Sequence, residues 1–261
     1  MRILISPAKK MVVEPDGFPV QALPQFIGQA ERLRARLLEL SYAQLRTLWR
    51  CSDRIAGPCY AALQHQSLRQ SLTPAILSFQ GIQYQYMAPG VFSDAELHYV
   101  QEHVRILSGF YGLLRPLDGV TPYRLEMQAR LEVDGCRDLY AFWGGRLARQ
   151  LAEETRLVVD LASREYSKSV LPHLPADVRT VTCVFGTLSD GRVLEQGTQC
   201  KMARGEMVRY LAECGGQDVQ ALRGFDRLRY VYCPERSDET RLVFLRPPAQ
   251  RHGGRDRDPE D

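Results

Sequence analysis

The 261 residues include 44% hydrophobic and 25% charged side chains, and the formal net charge is +3. This composition supplies enough apolar surface for a large core, which excludes a disordered or fibrous chain. The small net charge does not by itself require a nucleic acid or a membrane as partner. Seven cysteines without a C-x-x-C pair are typical of reduced thiols, and no run reaches the roughly twenty apolar residues of a membrane span. We therefore expect a cytoplasmic protein with no membrane partner.

The first predicted elements are a strand and a helix. Residues 2–5 form a short apolar run that ends at Ser6-Pro7 and leads into a polar loop. After several prolines and glycines, apolar residues recur at helical spacing over residues 27–40. A strand, a functional loop and a helix are expected in that order.

Two further helices follow closely. Residues 41–44, Ser-Tyr-Ala-Gln, have the form of a capping box that opens the second helix, and Asp53 is placed to cap a third. The third helix is predicted to be interrupted at Gly57-Pro58. Residues 26–72 are therefore predicted to be a helical unit, in which Ala56-Gly57-Pro58 loosely matches the hairpin of a helix-hairpin-helix element.

The middle of the chain alternates short apolar runs with a helical pattern. Residues 75–79 and 82–87 are predicted to be short strands or extended segments. A capping box at residues 93–96 precedes a helix near residues 94–103, and residues 104–107 form another apolar strand candidate. Strands and helices are thus predicted in close succession.

The second half of the chain begins with a loop shaped by glycine and proline over residues 108–119. A helix over residues 138–151 and a strand over residues 157–161 follow. The remaining predicted elements are a hairpin of residues 178–185 and 192–198 around Asp190-Gly191, a helix at 202–212, and strands at 227–232 and 241–245.

Helices and hairpins are mixed here without strict βαβ alternation. The sequence therefore predicts an α+β fold, a mixed β-sheet with surrounding helices. No repeat and no long linker divides the chain, so one domain is expected over residues 1–246. Residues 247–261 are rich in Gly, Arg and Asp without apolar periodicity and are predicted to be a disordered tail.

Loops at strand ends carry the candidate functional residues, because sites usually lie there. If these loops converge, they form a cationic cleft that contains carboxylates and suits a small anionic ligand. The residues expected to line the cleft are Ser6, Lys9, Lys10, Arg115, Arg124, Glu126, Ser163, Tyr166, Lys168, Lys201 and Arg204. The candidates for acid–base or nucleophilic chemistry are Lys9, Lys168, Glu126 and Glu165. No metal-ligand spacing and no cofactor motif is found, so neither is expected.

Several of these residues also have a structural interpretation. Arg115 with Asp118, and Arg124 with Glu126, are equally explained as ion pairs that hold an irregular loop. Ser163 is also placed to cap a helix. The functional and structural interpretations both stay open at this stage.

A second basic region lies in the helical unit. Between Glu31 and Arg54 the chain has six arginines and three acidic residues. Arg46, Arg50 and Arg54 are candidates to face a DNA phosphate backbone, although a solvated helix face is the commoner explanation of such a pattern.

Six motifs occur in order: Ile5-Ser-Pro-Ala-Lys9, Leu107-Ser-Gly-Phe-Tyr-Gly-Leu-Leu-Arg-Pro-Leu-Asp118, Pro122-Tyr-Arg-Leu-Glu-Met127, Phe142-Trp-Gly144, Leu161-Ala-Ser-Arg-Glu-Tyr-Ser-Lys168 and Lys201-Met-Ala-Arg-Gly205. Together they resemble the YaaA family, called peroxide stress resistance proteins, over most of the chain. The resemblance implies a cytosolic bacterial protein that helps cells tolerate hydrogen peroxide by limiting free iron. It also implies DNA binding through a helix-hairpin-helix-like element and a positively charged cleft.

Two hypotheses of different class remain. The first is a stress protein that binds double-stranded or branched DNA through a basic cleft and protects it from iron and peroxide. The second is an enzyme that acts on a small anionic or nucleobase-like substrate, with Lys9 or Lys168 as nucleophile or base. The carboxylates Glu126 and Glu165 favour the second hypothesis, since phosphate binding alone does not need them. The basic helices favour the first.

Overall fold

A mixed β-sheet organises the chain in the computed structural model, which describes residues 1–14 and 17–247. The strands are β1 (Arg2–Ile5), β2 (Lys10–Met11), β3 (Thr73–Pro74), β4 (Phe79–Gln80), β5 (Val104–Ser108), β6 (Gly112–Leu114), β7 (Gly119–Val120), β8 (Leu157–Asp160), β9 (Arg179–Ser189), β10 (Arg192–Leu194), β11 (Val231–Tyr232) and β12 (Arg241–Arg246). Eight of them form the main sheet, in the order β11-β12-β9-β8-β1-β5-β6 with β10 beside β9. The pairs β2–β4 and β3–β7 form two small sheets.

The centre of the main sheet is parallel. Strand β1 pairs in parallel with β5 on one side and with β8 on the other, and the parallel arrangement continues through β9 to β12. Strands β6, β10 and β11 add antiparallel edges. Ile3, Leu4 and Ile5 of β1 are completely buried, as expected for a continuous apolar run in a parallel strand covered on both faces. The predicted α+β fold with a mixed sheet is confirmed.

Helices cover this sheet and connect its strands. They are α1 (Ile27–Leu38), α2 (Tyr42–Trp49), α3 (Asp53–His65), α4 (Ala75–Ser78), α5 (Ile82–Met87), α6 (Asp94–His103), α7 (Leu139–Trp143), α8 (Arg146–Glu154), α9 (Arg164–Ser167), α10 (Gly197–Cys214) and α11 (Val219–Arg223). None of the helices in the described part of the chain has both the length and the apolar character needed to cross a bilayer.

The longest helix, α10, packs against α5, α6 and β9. It buries Met207, Val208 and Leu211. At Gly205 the backbones of α10 and α5 come so close that an added Cβ would overlap the carbonyl oxygen of Gln83 and lie 3.0 Å from the amide nitrogen of Met87. The absence of a side chain at residue 205 therefore sets the distance between the two helices.

The helical unit contains α1, α2 and α3. The predicted capping box of α2 is present, since the Gln44 amide donates to Ser41 Oγ at 3.4 Å and the Ser41 amide donates to Gln44 Oε1 at 2.9 Å. The predicted interruption at Gly57-Pro58 is wrong, because α3 continues through it. Pro58 is the sixth residue of α3, an interior position at which proline removes a backbone hydrogen bond and disfavours a helix; α3 nevertheless continues there, packed against α1 and α2. A hairpin at residues 56–58 is thereby excluded, and a helix-hairpin-helix element is not shown.

Other segments differ from the sequence predictions. The runs at residues 75–79 and 82–87, expected to be extended, are mostly helical, as α4 and α5. Short apolar runs that are buried on several sides carry no clear helix or strand period. The predicted helix over residues 138–151 is two helices, because the chain turns at Gly144, whose φ is +46°. The tail predicted over residues 247–261 lies outside the described residues, except for Pro247. The assignment of residues 1–246 to one domain stays a prediction.

The close packing at Gly205 generates a stability prediction. Gly205→Ala should lower the free energy of unfolding by about 3 kcal/mol, the upper end for overpacking, because the overlapping atoms belong to backbone that cannot rotate away. Gly28→Ala in α1 is the matched control, since an added Cβ there meets nothing within 4 Å. It should be neutral or stabilise the protein by up to about 1 kcal/mol. Urea unfolding measures both, and equal effects would contradict the packing argument.

Candidate functional site

Three serines lie where the central parallel strands end. Ser6 follows β1, Ser108 ends β5 and Ser163 follows β8. The Ser163 amide donates to Ser6 Oγ at 2.8 Å, and the Ser6 hydroxyl donates to Ser163 Oγ at 3.3 Å. The Tyr84 hydroxyl donates to the Ser6 carbonyl oxygen at 3.0 Å. Hydrogen bonds thus join the loops after β1 and β8 at the carboxyl edge of the sheet, where ligands bind in many open sheets with parallel strands.

Ser108 fixes a third loop at this edge. Its Oγ accepts the amides of Phe110 at 3.1 Å and Tyr111 at 2.8 Å, and lies 2.7 Å from the hydroxyl of Tyr123. Gly109 allows the returning chain to pass close by, since an added Cβ would lie 2.5 Å from the carbonyl oxygen of Leu125. The segment that carries Arg124 and Glu126 is therefore held against the end of β5.

Four charged residues form what we call the carboxyl-edge cluster: Lys9, Arg124, Glu126 and Glu165. Lys9 Nζ lies 2.9 Å from Glu126 Oε2, and an Arg124 guanidinium nitrogen donates to Glu126 Oε1 at 3.2 Å. The Lys9 side chain is 66% exposed and that of Arg124 is 11% exposed. One carboxylate thus joins a solvent-exposed ammonium to an almost buried guanidinium.

Glu165 completes the cluster from the other side. Its Oε1 accepts the Gln128 amide at 3.3 Å. Burial raises the pKa of the Glu165 carboxyl; the negative charge of Glu126 raises it further, while the Gln128 amide and the Lys9 ammonium lower it. Tyr166, beside it in sequence, is buried, and burial raises the pKa of its phenol so that it stays neutral. A carboxyl group with a raised pKa next to a lysine is suited to proton transfer.

Ser163 precedes α9 but makes no side-chain hydrogen bond to the amides of that helix. Its hydroxyl contacts Ser6 instead. The alternative interpretation of Ser163 as a helix cap therefore applies to its backbone position and not to its side chain.

Lys168 and Arg204 lie in a different place, which we call the β8–β9 cavity. Its volume is about 370 Å³. It is lined by Asp160, Ala162, Arg164, Ser167, Lys168, Leu171, Pro172, Thr182, Cys183, Val184, Glu195 and Arg204. Glu165 of α9 belongs to the carboxyl-edge cluster, whereas Arg164, at the start of α9, and Lys168, directly after its end, line the cavity. The one-turn helix α9 thus contributes to both places.

Arg115 is not brought to these groups. Strand β6 runs antiparallel to β5, so the chain returns to the amino edge of the sheet before Arg115. There Arg115 lines a cleft of about 120 Å³ with Arg105, Asp118 and Glu154. Its amide donates to Asp118 Oδ2 at 2.8 Å, and burial raises the pKa of Asp118 to about 6. Asp118 therefore closes the turn at Arg115 through the backbone amide.

Two other expected site residues lie on the surface. Lys10 is exposed in β2, and Lys201 is exposed on α10, one turn before Arg204 and outside the lining of the β8–β9 cavity. Three charged residues in the lining of that cavity, Asp160, Arg164 and Glu195, were not predicted from the sequence. Asp160 carried a usable signal, since a carboxylate that ends an apolar strand is costly to bury.

The basic helical region borders a pair of adjoining hollows, which we call the arginine groove. Two adjoining hollows of about 600 and 470 Å³ share Arg36 and Glu132 in their walls. The charged residues of the groove are Arg36, Arg50, Arg130, Glu132, Asp134 and Arg137. Arg46 and Arg54 are exposed but do not line it, and Arg46 lies 3.2 Å from Asp53.

The described residues contain no group of three or more His, Cys, Asp or Glu side chains that could hold a metal ion.

Comparison with known proteins shows that the chain is similar to bacterial proteins of the class called UPF0246. The chain is 51% identical over 246 residues to a UPF0246 protein of Lachnoclostridium phytofermentans, covering 94% of this chain and 96% of the relative. UPF0246 proteins of Pediococcus pentosaceus and Lactiplantibacillus plantarum are 46% and 48% identical, each over 94% of this chain and 98% and 99% of the relative. The model of the family described as peroxide stress protein YaaA matches residues 1–236, and the chain belongs to that family. Membership supports a role in peroxide stress.

The carboxyl-edge cluster generates a pKa prediction. In Glu126→Gln the pKa of Glu165 should fall, because one negative charge that raises it is removed while the Lys9 ammonium that lowers it is kept. A ¹³C NMR titration of the glutamate carboxyl groups, assigned with Glu165→Gln, measures the change. Glu239→Gln, at an exposed glutamate outside the cluster, should leave the pKa of Glu165 unaltered. An unchanged or higher value in Glu126→Gln would show that the two carboxylates do not interact.

Proposed function

We propose that this protein contributes to peroxide defence by binding DNA along the arginine groove. The observation that carries the proposal is the charge of this surface: two adjoining hollows that share Arg36 and Glu132, with four arginines and two carboxylates in their walls. Two adjoining basic hollows offer phosphate contacts at more than one point, which suits a polyanion better than a compact ligand.

The pairing of these charges favours phosphate contacts. Arg50 and Arg130 are exposed, and no carboxylate of the described residues lies within 4 Å of either guanidinium. Asp134 is neutralised by an ion pair with Arg32, and Arg36 donates to the backbone oxygen of Glu132 at 2.8 Å. The groove thus keeps cations that have no internal partner, while part of its negative charge is compensated.

The proposal also offers a physical route to less iron damage. DNA phosphates condense cations, and a protein that neutralises them with arginine releases those cations. Iron(II) held at the phosphate backbone would be displaced from the place where its reaction with peroxide breaks the strand. In this view the protein limits iron damage at the DNA itself.

The salt dependence of binding tests the DNA proposal. Fluorescence anisotropy with a labelled duplex should show log K falling linearly with log salt, with a slope of about −0.9 for each phosphate neutralised. The variant Arg50→Gln/Arg130→Gln/Arg137→Gln should reduce the magnitude of that slope by about 2 to 3, and weaken binding to all sequences alike.

A matched triple variant controls for net charge. Arg179, Arg192 and Arg241 are exposed and lie outside the groove, so glutamine at all three should leave the slope nearly unchanged. The double variant Arg46→Gln/Arg54→Gln separates the groove from the neighbouring helix surface, and a small effect is expected. Undetectable binding at about 50 mM salt, or equal losses in the two triple variants, would refute the proposal.

As a second candidate, we propose acid–base chemistry on a small anionic substrate at the carboxyl-edge cluster. The favouring observation is that Glu126 contacts both Lys9 and Arg124 within 3.2 Å, next to Glu165 with its raised pKa. In this proposal Arg124 and Lys9 bind the substrate anion, and Lys9 or Glu165 transfers a proton. The contact of Glu126 with both cations, beside a second carboxyl group, favours proton transfer over the binding of an anion alone.

Replacing lysine by arginine distinguishes the two candidates. If Lys9 transfers a proton, Lys9→Arg should reduce peroxide survival to that of cells without the protein, because a guanidinium does not release its proton near neutral pH. Lys10→Arg, at the exposed neighbour, should keep full protection. Complementation of a bacterial strain that lacks its own family member measures survival, and melting temperatures confirm folding. Full protection by Lys9→Arg would remove Lys9 as a proton donor or base.

A further inference from the structure

We propose that the β8–β9 cavity is a binding site for a small phosphate monoester with an apolar body. The cavity is separate from both sites above: its lining includes no residue of the arginine groove and none of the carboxyl-edge cluster. Its volume of about 370 Å³ lies in the range of ordinary small-molecule sites.

The first support is a set of cations without internal partners. Arg164, Lys168 and Arg204 all line the cavity, and within residues 1–14 and 17–247 no carboxylate oxygen lies within 4 Å of any of their charged nitrogens. By contrast, Lys9, Arg105 and Arg124 at the other polar sites are each paired with a glutamate. Three unpaired cations around one hollow attract an anion.

The second support is the state of Arg204 itself. Its Nε is buried and has no hydrogen-bond partner among the described residues. A buried donor without a partner is unfavourable, and native structures rarely leave one unsatisfied without a reason. Because Nε is closed to solvent, a ligand in the cavity would first accept the outer N–H groups of this guanidinium, and a rotation of the side chain toward the ligand would bring Nε into the same planar fork, the usual one for phosphate.

The position of Arg204 is also fixed by the fold. The next residue, Gly205, is the point at which α10 touches the backbone of α5, so the backbone of Arg204 has little freedom to move away from the cavity. Arg164 and Lys168 are exposed at the rim, whereas Arg204 is half-buried. The arrangement is one half-buried guanidinium with two exposed cations beside it, which suits the binding of a doubly charged group.

Asp160 forms no ion pair with Arg204, although the nearby positive charge of Arg204 partly offsets the rise that burial causes in the pKa of the Asp160 carboxyl. Its Oδ1 accepts the Ala162 amide at 2.9 Å, and the Ser167 hydroxyl lies 2.9 and 2.8 Å from its two oxygens. These bonds hold the buried carboxyl group within the end of β8. The second carboxylate of the lining, Glu195, lies on the segment before α10 and contacts Cys200 Sγ at 3.8 Å.

The remaining walls define the rest of the ligand. Ala162, Leu171, Pro172 and Val184 give the cavity a largely apolar surface. Inorganic phosphate alone would leave this surface in contact with water, whereas an apolar body attached to the phosphate would cover it. The cations of the lining therefore select a phosphate, and its apolar residues select a small apolar group attached to that phosphate.

Isothermal titration calorimetry with three matched probes tests the proposal: benzyl phosphate, benzoate and benzyl alcohol. Benzyl phosphate should bind, and benzyl alcohol, which lacks the charge, should bind at least tenfold more weakly. Benzoate, with one charge and a carboxylate, should fall between them. Arg204→Gln should weaken binding of benzyl phosphate tenfold to a hundredfold, the range of a charge-assisted hydrogen bond to a buried group.

Two further variants make the result decisive. Leu171→Trp at the cavity wall should block benzyl phosphate without changing any charge, so it replaces Arg204→Gln if that variant does not fold. Arg192→Gln, which removes an exposed charge on β10 outside the cavity, should leave the dissociation constant unchanged.

Three outcomes would overturn the proposal: wild-type protein that does not bind benzyl phosphate at 10 mM, benzoate that binds more tightly than benzyl phosphate, or equal affinities in wild type, Arg204→Gln and Leu171→Trp. Loss of binding in the Arg50→Gln/Arg130→Gln/Arg137→Gln variant would also overturn it, because the probe would then lie in the arginine groove.

Discussion

The pairing of β1 with β5 and β8 is the constraint on which the rest of this structure depends. Because all three strands are parallel, their carboxyl ends meet at one edge, and the loops after them carry Ser6, Ser108 and Ser163 to the same place. Burial of Ile3, Leu4 and Ile5 on both faces leaves β1 no alternative register, since a shift by one residue would bring polar neighbours into the core. Both polar sites of the carboxyl edge depend on this alignment, as they share the loop after β8.

Arginine serves opposite purposes in this chain, and burial together with pairing decides which. Arg105 is almost completely buried and shares Glu154 with Arg2, so its charge is compensated inside the protein at the amino edge of the sheet. Arg124 is nearly as buried, but its carboxylate partner also contacts the exposed Lys9. Arg204 has no carboxylate partner among the described residues. Arg105 therefore forms a structural ion pair, whereas the charge of Arg204 is available to a ligand, and Arg124 is intermediate between them.

Much of the fold was predictable, whereas the separation of the sites was not. Capping boxes at Ser41 and Ser93 and the apolar run of β1 are local signals, and each predicted its element. The segments at 75–79 and 82–87 were predicted wrongly because a short segment with four apolar residues fits a buried helix as well as a strand. Lys9, Arg124, Glu126 and Glu165 were selected from the sequence as polar residues near strand ends, and the structure brings them together, but Arg115 was selected on the same grounds and lies at the opposite edge. The reversal of the chain in β6, a tertiary feature, separates them. No sequence signal could have predicted that Arg204 Nε lacks a hydrogen-bond partner, because its burial depends on the tertiary structure.

The central position of β1 also sets the order of events during synthesis. Ile3 pairs with Val104 and with Val159, so the strand made first has no partner until a long stretch of chain has followed it from the ribosome. Contacts between such distant residues close large loops and slow the folding of the domain. Until β8 has emerged, the apolar run of β1 stays available for wrong pairing with other chains, and such exposed runs are what chaperones bind. The strand that organises the finished sheet is therefore the one whose early exposure the cell has to manage.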